Sequence, residues 1–195
     1  MRKIIVTTWT SLDGFVSGAG GDMGFVGRFY DASQGEYQTE LATRCSTLLL
    51  GRRTYDSFAG AWPHVPDNPD VSEGERVYAR LLNAMDKVLV STTVTDPSWD
   101  ATTVWDDVRA AVVEALKARE GKDIAVYGST SVVRRLTDLR LVDEYHIQVH
   151  PVALGDGLSL FAGLEKPAYL TLVDSVRLST GVTRLVMVPA EDAKS

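Results

Sequence analysis

Cysteine occurs once in this 195-residue chain, at Cys45. A single thiol can neither close an internal disulfide nor build a multi-thiolate zinc site. The lack of disulfides accords with a reducing, cytoplasmic setting. Histidine occurs three times. His146 and His150 stand four apart on a strand-like run, about 13 Å from each other, too far to share one metal. His64 sits among prolines, so no metal site is expected. No apolar run approaches the roughly 18 residues of a membrane-spanning helix. The basic-then-apolar start, Met1 to Val6, is broken at once by Thr7 and Thr8, so no signal peptide is expected. Positive charge is in deficit, with 20 Lys+Arg against 26 Asp+Glu and a net charge of −6. That balance argues against a nucleic-acid or anionic-membrane partner, which would need a cationic face. It leaves room for a local basic pocket. G-x-S-x-G is absent, no Ser-His-Asp arrangement presents itself, and the H-x-E…P-C-x-x-C signature of zinc deaminases is missing.

What is present is ordinary globular material, 45% hydrophobic and 24% charged. A chain of this length buries roughly 70% of its unfolded surface, enough for one core without staples. No repeat and no Pro/Ser-rich linker divides it, so a single domain over 1–195 is expected. Ile4 to Trp9 is continuously apolar or β-branched and reads as a buried strand. Five glycines between Gly18 and Gly27 mark a flexible loop. Ser33 and Glu36 have capping-box spacing, opening a helix with Tyr37, Leu41 and Cys45 on one face. Leu48 to Gly51 is a buried strand, and Arg52 to Phe58 a helix. A loop with three prolines follows. Ser72 and Glu75 form a second capping box, before Val77, Leu81 and Met85. Lys87 to Thr92 is a strand. A helix begins at Asp106, carries Val108, Ala111, Val112, Ala115 and Leu116 at helical spacing, and stops at Gly121. Ile124 to Tyr127 is a strand, followed by a helix bearing Val132, Val133 and Leu136. In the tail, Tyr145, Ile147 and Val149 alternate with His146, Gln148 and His150. Pro167–Val173 and Val182–Val188 are also β-like. Alternating β and α followed by antiparallel strands predict an α/β mixed sheet, mainly parallel.

Two strand-to-helix turns carry chemistry. Gly51-Arg52-Arg53-Thr54 puts two arginines at a helix N-terminus, where cations are electrostatically misplaced unless they face solvent or meet an anion. Gly128-Ser129-Thr130-Ser131 offers close backbone approach and hydroxyls that suit either capping or a phosphate. Two such turns together suit the two ends of a dinucleotide. Ser91 and Thr92, at a strand's carboxyl end, suit a ribose or its phosphate, or simply a strand. Asp13 suits an Asp-Gly turn or a catalytic acid, and Glu36 a cap or an acid.

Thr10-Ser11-Leu12-Asp13-Gly14-Phe15, Leu49 to Tyr55, Val126-Tyr127-Gly128-Ser129, Val142 to Tyr145 and Pro151 to Phe161 occur in an order that resembles the dihydrofolate reductase-like superfamily. Within it, the chain is similar to the stand-alone form of the C-terminal reductase domain of bifunctional riboflavin-biosynthesis deaminase-reductases. The resemblance implies a three-layer fold with about eight central strands. It implies NADPH across the strands' carboxyl ends, with Gly51, Arg52, Arg53, Thr54, Ser91, Thr92, Gly128, Ser129, Thr130 and Ser131 as its cradle. Thr8, Gly14, Phe15 and Val16 would lie beside the nicotinamide. Phe25, Tyr37, Phe58 and Trp62 would wall a planar ring, with Leu154, Gly155 and Asp156 approaching from the tail. Asp13 and Glu36 are the candidate acids, and Arg28 and Arg44 the candidates for a substrate phosphate. The implied activity is reduction of a pterin-like or ribosylamino-pyrimidine-like heterocycle. The alternative is a non-catalytic nucleotide-binding module of the same fold. A homodimer is expected to use the 145–150 strand, with Tyr145, Ile147 and Val149 half-exposed.

Overall fold

The computed structural model describes residues 1–190. The elements, in chain order, are β1 (Ile4–Ser11), β2 (Phe15–Ser17), α1 (Gly24–Arg28), α2 (Ala32–Arg44), β3 (Cys45–Gly51), α3 (Arg52–Ala61), α4 (Glu73–Ala84), β4 (Asp86–Val90), β5 (Thr102–Trp105), α5 (Ala110–Ala118), β6 (Asp123–Tyr127), α6 (Thr130–Asp138), β7 (Glu144–His150), β8 (Leu158–Ser159), β9 (Leu170–Arg177) and β10 (Thr183–Pro189). Eight strands form one sheet in the order β5-β4-β3-β6-β1-β7-β10-β9. The six from β5 to β7 run parallel, and β10 and β9 are antiparallel additions at one edge. The mainly parallel sheet with an antiparallel finish is the architecture expected from the sequence.

Helices cover both faces of the parallel part, and the strand sequences reflect that. Leu48, Leu49 and Leu50 are consecutive and all fully buried. Leu49 joins a core with Val113, Leu116, Val132, Val133 and Leu136 from α5 and α6. Leu48 and Leu50 join Tyr37, Leu41, Tyr55, Tyr78 and Leu82 from α2, α3 and α4. A strand buried on both faces reads as a continuous apolar run rather than an alternation. Each such leucine contributes about 1.5–3 kcal/mol by leaving water.

Several local expectations change. Asp31, not Ser33 with Glu36, caps α2: its carboxylate accepts from Ser33 N at 3.0 Å and Gln34 N at 3.3 Å. The Ser33 hydroxyl donates to that same carboxylate and so is unavailable as a cap. α2 ends at Arg44, and Cys45 opens β3 instead of ending the helix. The Ser72–Glu75 capping box is present in full. α5 starts at Ala110 rather than Asp106: ahead of the helix, Asp107 accepts from the Val108 amide and Asp106 pairs with Arg109. The glycine-rich stretch is not wholly a loop, since it contains a short 3₁₀ turn at Ala19–Gly21 and then α1. β5 is a short strand that the Thr-rich sequence did not announce. β7 lies between β1 and β10. Tyr145 and Ile147 are therefore buried and Val149 partly buried, all against the α5/α6 core. The 145–150 strand is not a half-exposed contact surface. Gly157, at φ +148°, passes so close to Ser17 that a Cβ would clash with its carbonyl oxygen, beside the β2–β8 pair.

Candidate active site

The carboxyl ends of β3 and β6 lie side by side and open directly into α3 and α6. Gly51 and Gly128 occupy the two turns. The Ser129 hydroxyl accepts from the Gly51 amide at 2.9 Å, tying them together across 78 residues of sequence. That hydroxyl therefore does not cap its own helix. Gly128 and Ser129 are both left-handed, at φ +50°. For serine this conformation costs on the order of 1–3 kcal/mol, and strain of this kind concentrates at binding sites. A Cβ on Gly51 would lie 3.4 Å from Val132 Cγ2 and 3.6 Å from Ser129, and one on Gly128 3.7 Å from Thr54 Oγ1. The four residues Gly51, Thr54, Gly128 and Ser129 are thus one assembly. Thr130 and Ser131 are the first two residues of α6, Ser131 exposed.

Arg52 and Arg53 are exposed at the start of α3. Arg52 Nη1 donates to Thr93 Oγ1 at 2.8 Å, and its Nε lies 3.5 Å from Asp56. The arginine is thereby leaned toward the turn after β4. There the Ser91 hydroxyl accepts from the Thr93 and Val94 amides, closing a local turn, while Thr92 is exposed. Beside this turn lies a groove of about 490 Å³ between Ser91–Thr95 and Val104–Arg109.

On the other side of β6, Gly128 N donates to Thr7 O at 3.0 Å. β1 and β7 continue past this point to Ser11 and His150. Thr8 is buried in β1. Gly14, at φ +82°, makes the turn into β2, which carries Phe15 and Val16. Asp13 is solvent-exposed, and its carboxylate accepts from Leu154 N at 3.1 Å and Gly155 N at 2.8 Å. The Ser11 hydroxyl first, then the Gly155 amide, hold it down to about 2. It therefore stays ionised at neutral pH and braces the tail loop bearing Leu154, Gly155 and Asp156. Glu36 is exposed on α2.

The four ring-wall candidates fall into two groups. Phe58 and Trp62 meet edge-on at 6.0 Å, backed by Tyr127 and Tyr78. Phe25 and Tyr37 instead pack on β7, against His150 and His146. Tyr37 OH bonds His146 Nδ1, whose Nε2 lies 2.9 Å from Glu144. Burial, partly offset by Glu144, lowers the His146 pKa. Arg44 joins Glu144 at 3.4 Å at the far end of this chain of contacts. Arg28 instead lines a separate groove of about 420 Å³ with Phe25, Phe29 and Pro151.

Sequence reasoning missed a polar cluster on the α2 side of the sheet. Trp9, Gln148 and Arg184 stand in register across β1, β7 and β10, and Gln34 Nε2 reaches Gln148 Oε1 at 3.3 Å from α2. Gln34, Gln148 and His150 have no exposed surface. The signal was the polar half of the 145–150 alternation, which looks like a solvent face until α2 is laid over it.

The family model described as the RibD C-terminal domain matches residues 2–184. The Bacillus subtilis (strain 168) protein YyaP, uncharacterised, is 30% identical over 185 residues, covering 95% of this chain and 94% of its own. Among solved structures, a Shewanella sp. PV-4 protein assigned to riboflavin biosynthesis superposes with a TM-score of 0.73 at 19% identity, covering 97% of this chain and all of the other. A Thermotoga maritima diaminohydroxyphosphoribosylaminopyrimidine deaminase/5-amino-6-(5-phosphoribosylamino)uracil reductase gives 0.65 at 17% identity, with 97% of this chain spanning 57% of that one. These two share the fold.

Proposed function

The chain belongs to the RibD C-terminal domain family, and from that premise we propose that it is an NADPH-dependent reductase of a planar heterocycle, pterin-like or ribosylamino-pyrimidine-like. The observation that carries the reading is the clasp between Gly51 N and Ser129 Oγ. It holds two helix N-termini and two close-approach turns against each other, which suits a pyrophosphate. The fit extends outward. Arg52 and Arg53 are cations at the head of α3, suited to a 2′-phosphate, and the groove between Ser91–Thr95 and Val104–Arg109 adjoins them. In the other direction Thr8 and Gly14 to Val16 border the end of β1. NADPH, when bound, supplies the hydride that reduces a ring C=N or C=O carbon.

The chain's own residues bind, orient and exclude water. Ser129 fixes the spacing of the two turns, and Thr54 adds a hydroxyl over Gly128. Asp13 holds the Leu154–Gly155 loop in place, and its carboxylate, ionised at neutral pH, is not a proton donor. A carboxylate so occupied also favours the second reading, a nucleotide-binding module without turnover. Catalysed oxidation of NADPH by any heterocycle would remove that reading.

The test is a calorimetric or fluorescence titration with NADPH and NADH. Saturable NADPH binding is expected at submillimolar concentration, and its absence sinks the proposal. Arg52→Ala is expected to weaken NADPH about tenfold while changing NADH by less than about twofold. Equal losses would mean that Arg52 does not read the 2′-phosphate.

A further inference from the structure

β9 is the outer strand at one edge of the sheet, and β10 is its one strand neighbour among the described residues. The two edges of the sheet are unlike. β5, at the other edge, has four residues, three of them partly buried. β9 has eight, and Thr171 to Ser175 are exposed in an unbroken run. A long strand edge presents a row of unpaired N–H and C=O groups, which native folds blunt with lysine, proline, a bulge or a short strand. β9 contains neither lysine nor proline. Its guards are Asp174 and a bulge opposite Val186 and Met187.

The side chains carry the same message. Leu185-Val186-Met187-Val188 in β10 is a continuous apolar run, the pattern of a strand buried on both faces. Leu48 to Leu50 have that pattern and are fully buried. Leu185 to Val188 have it and are each only partly buried. Beside them Leu172 is 55% exposed and Tyr169 67%. Leu172 stands opposite Met187, so the two share a face, and Leu185 is the preceding residue of β10 on that face. Val173 falls at the bulge with no residue opposite it in β10. The apolar surface therefore centres on Leu172, Leu185 and Met187.

The size fits as well. From Leu170 to Pro189 the hairpin has roughly 20 residues, and among them Val182 alone is fully buried. A standard interface takes roughly 20–30 residues and about 800 Å² from each partner. Two β9 edges related by a twofold axis perpendicular to the sheet run antiparallel, so each pairs the other's row of amides and like faces of the two hairpins adjoin. The charges of the hairpin are of both signs, Asp174 and Arg177 on β9 and Arg184 on β10, so a second copy meets no single-sign field. The five residues after Ala190, Glu-Asp-Ala-Lys-Ser, are too polar a segment to cover Leu172 and Met187.

We infer that the chain forms a twofold homodimer through its β9–β10 hairpins, edge to edge, with Leu172, Leu185 and Met187 at the contact. The dimer braces α2 from outside, because the turn of the hairpin is tied to its N-cap: Ser179 Oγ donates to Asp31 Oδ2 at 2.5 Å. The inference stands apart from the reductase reading.

The experiment is sedimentation velocity of the full chain, with a cross-linking series. At about 10 μM a mass twice that of the chain is expected. Leu172→Asp is expected to weaken association at least about a hundredfold and give the monomer, with a melt that stays cooperative because the residue is half-exposed. Leu185→Lys is a second dissociating variant should Leu172→Asp not fold. Val77→Asp, on α4 and 37% exposed, is expected to keep the dimer. The native thiol, Cys45, is buried and does not compete with an introduced one. At least one of Thr171→Cys and Ser175→Cys is expected to give a covalent dimer with a short bis-maleimide, and Val77→Cys none. A monomer at about 10 μM, a dimer that survives both Leu172→Asp and Leu185→Lys, equal dissociation by Val77→Asp, or no cross-link from either β9 cysteine each overturns the inference. A dimer lost on removing residues 191–195 would assign the contact to that segment and overturn it too. None of these measurements involves NADPH, so the dimer and the reductase reading fail separately.

Discussion

The two faces of β7 are equally dry and chemically opposite. On one, Tyr145 and Ile147 pack with Val133, Leu136 and Leu160, and even the Tyr145 hydroxyl is satisfied by Thr137 at 2.9 Å. On the other, His146, Gln148 and His150 are all within 3% of complete burial, yet they face Gln34, Tyr37 and Arg184. The first face has the composition of a core. The second could have been built from leucine at lower cost, since replacing buried polar pairs by apolar groups of like shape is often neutral or stabilising. Burial alone therefore does not separate scaffold from site. The separation comes from asking whether each buried polar atom finds a partner inside the protein.

The sharpest break in the comparison is to put a charge on the apolar face. Ile147→Asp is expected to abolish folding, because an unpaired buried carboxylate costs several kcal/mol. Soluble protein with a cooperative melt would show that this face is looser than described. Ile147→Ala is expected to cost about 2–4 kcal/mol in urea unfolding. On the polar face, replacing both partners of a buried pair at once, Gln34→Leu with Gln148→Leu, is expected to change stability by about 1 kcal/mol or less. A loss as large as that of Ile147→Ala would make the two faces energetically alike.

Acid provides a gentler probe. Burial lowers the pKa of His146 and of His150. Below the ordinary histidine value of about 6.5 the unfolded chain takes up protons that the folded chain does not. Their contribution to stability is thus fully present above about 6.5 and is lost as pH falls through the lowered folded values. The melting temperature should drop as pH falls from 7 toward 5, and His150→Phe should make that drop shallower. An unchanged profile would mean that the fold does not lower the His150 pKa. The smallest effect is expected far from either face. On the edge strand β9, Val173 is 56% exposed, and Val173→Thr should alter stability by no more than about 0.5 kcal/mol.

The same contrast explains what could be read from the sequence. The turns at Gly51 and Gly128 were legible because glycine, a buried strand before it and a helix after it all speak locally. The parallel sheet was legible because strands buried on both faces are apolar without alternation. Asp31 was missed as the α2 cap because Ser33 and Glu36 offered a spacing that fitted equally well, and only backbone geometry chooses between them. The polar row was missed because glutamine and histidine alternating with Tyr145, Ile147 and Val149 look like the wet side of a strand. Gln34 comes from more than a hundred residues earlier in the chain, and its arrival depends on the path of α2 across β1 and β7, which no local pattern encodes. The roles of Asp13 and Glu36 were ambiguous for a similar reason. The partners of Asp13, Leu154 and Gly155, lie 141 and 142 residues away.

The position of β1 has a consequence for how the chain is made. It is synthesised well before its neighbours in the sheet, β6 and β7, with Ile4 opposite Ile124 and Ile5 opposite Glu144. At about 5–20 residues per second, translation needs roughly 6–24 s to deliver the first of these partners. For that interval one of the most apolar strands of the protein has no edge to join. The nascent chain therefore passes through a window in which Ile4, Ile5 and Val6 are available to chaperones or to other nascent chains, and that window closes only once β6 and β7 have been made.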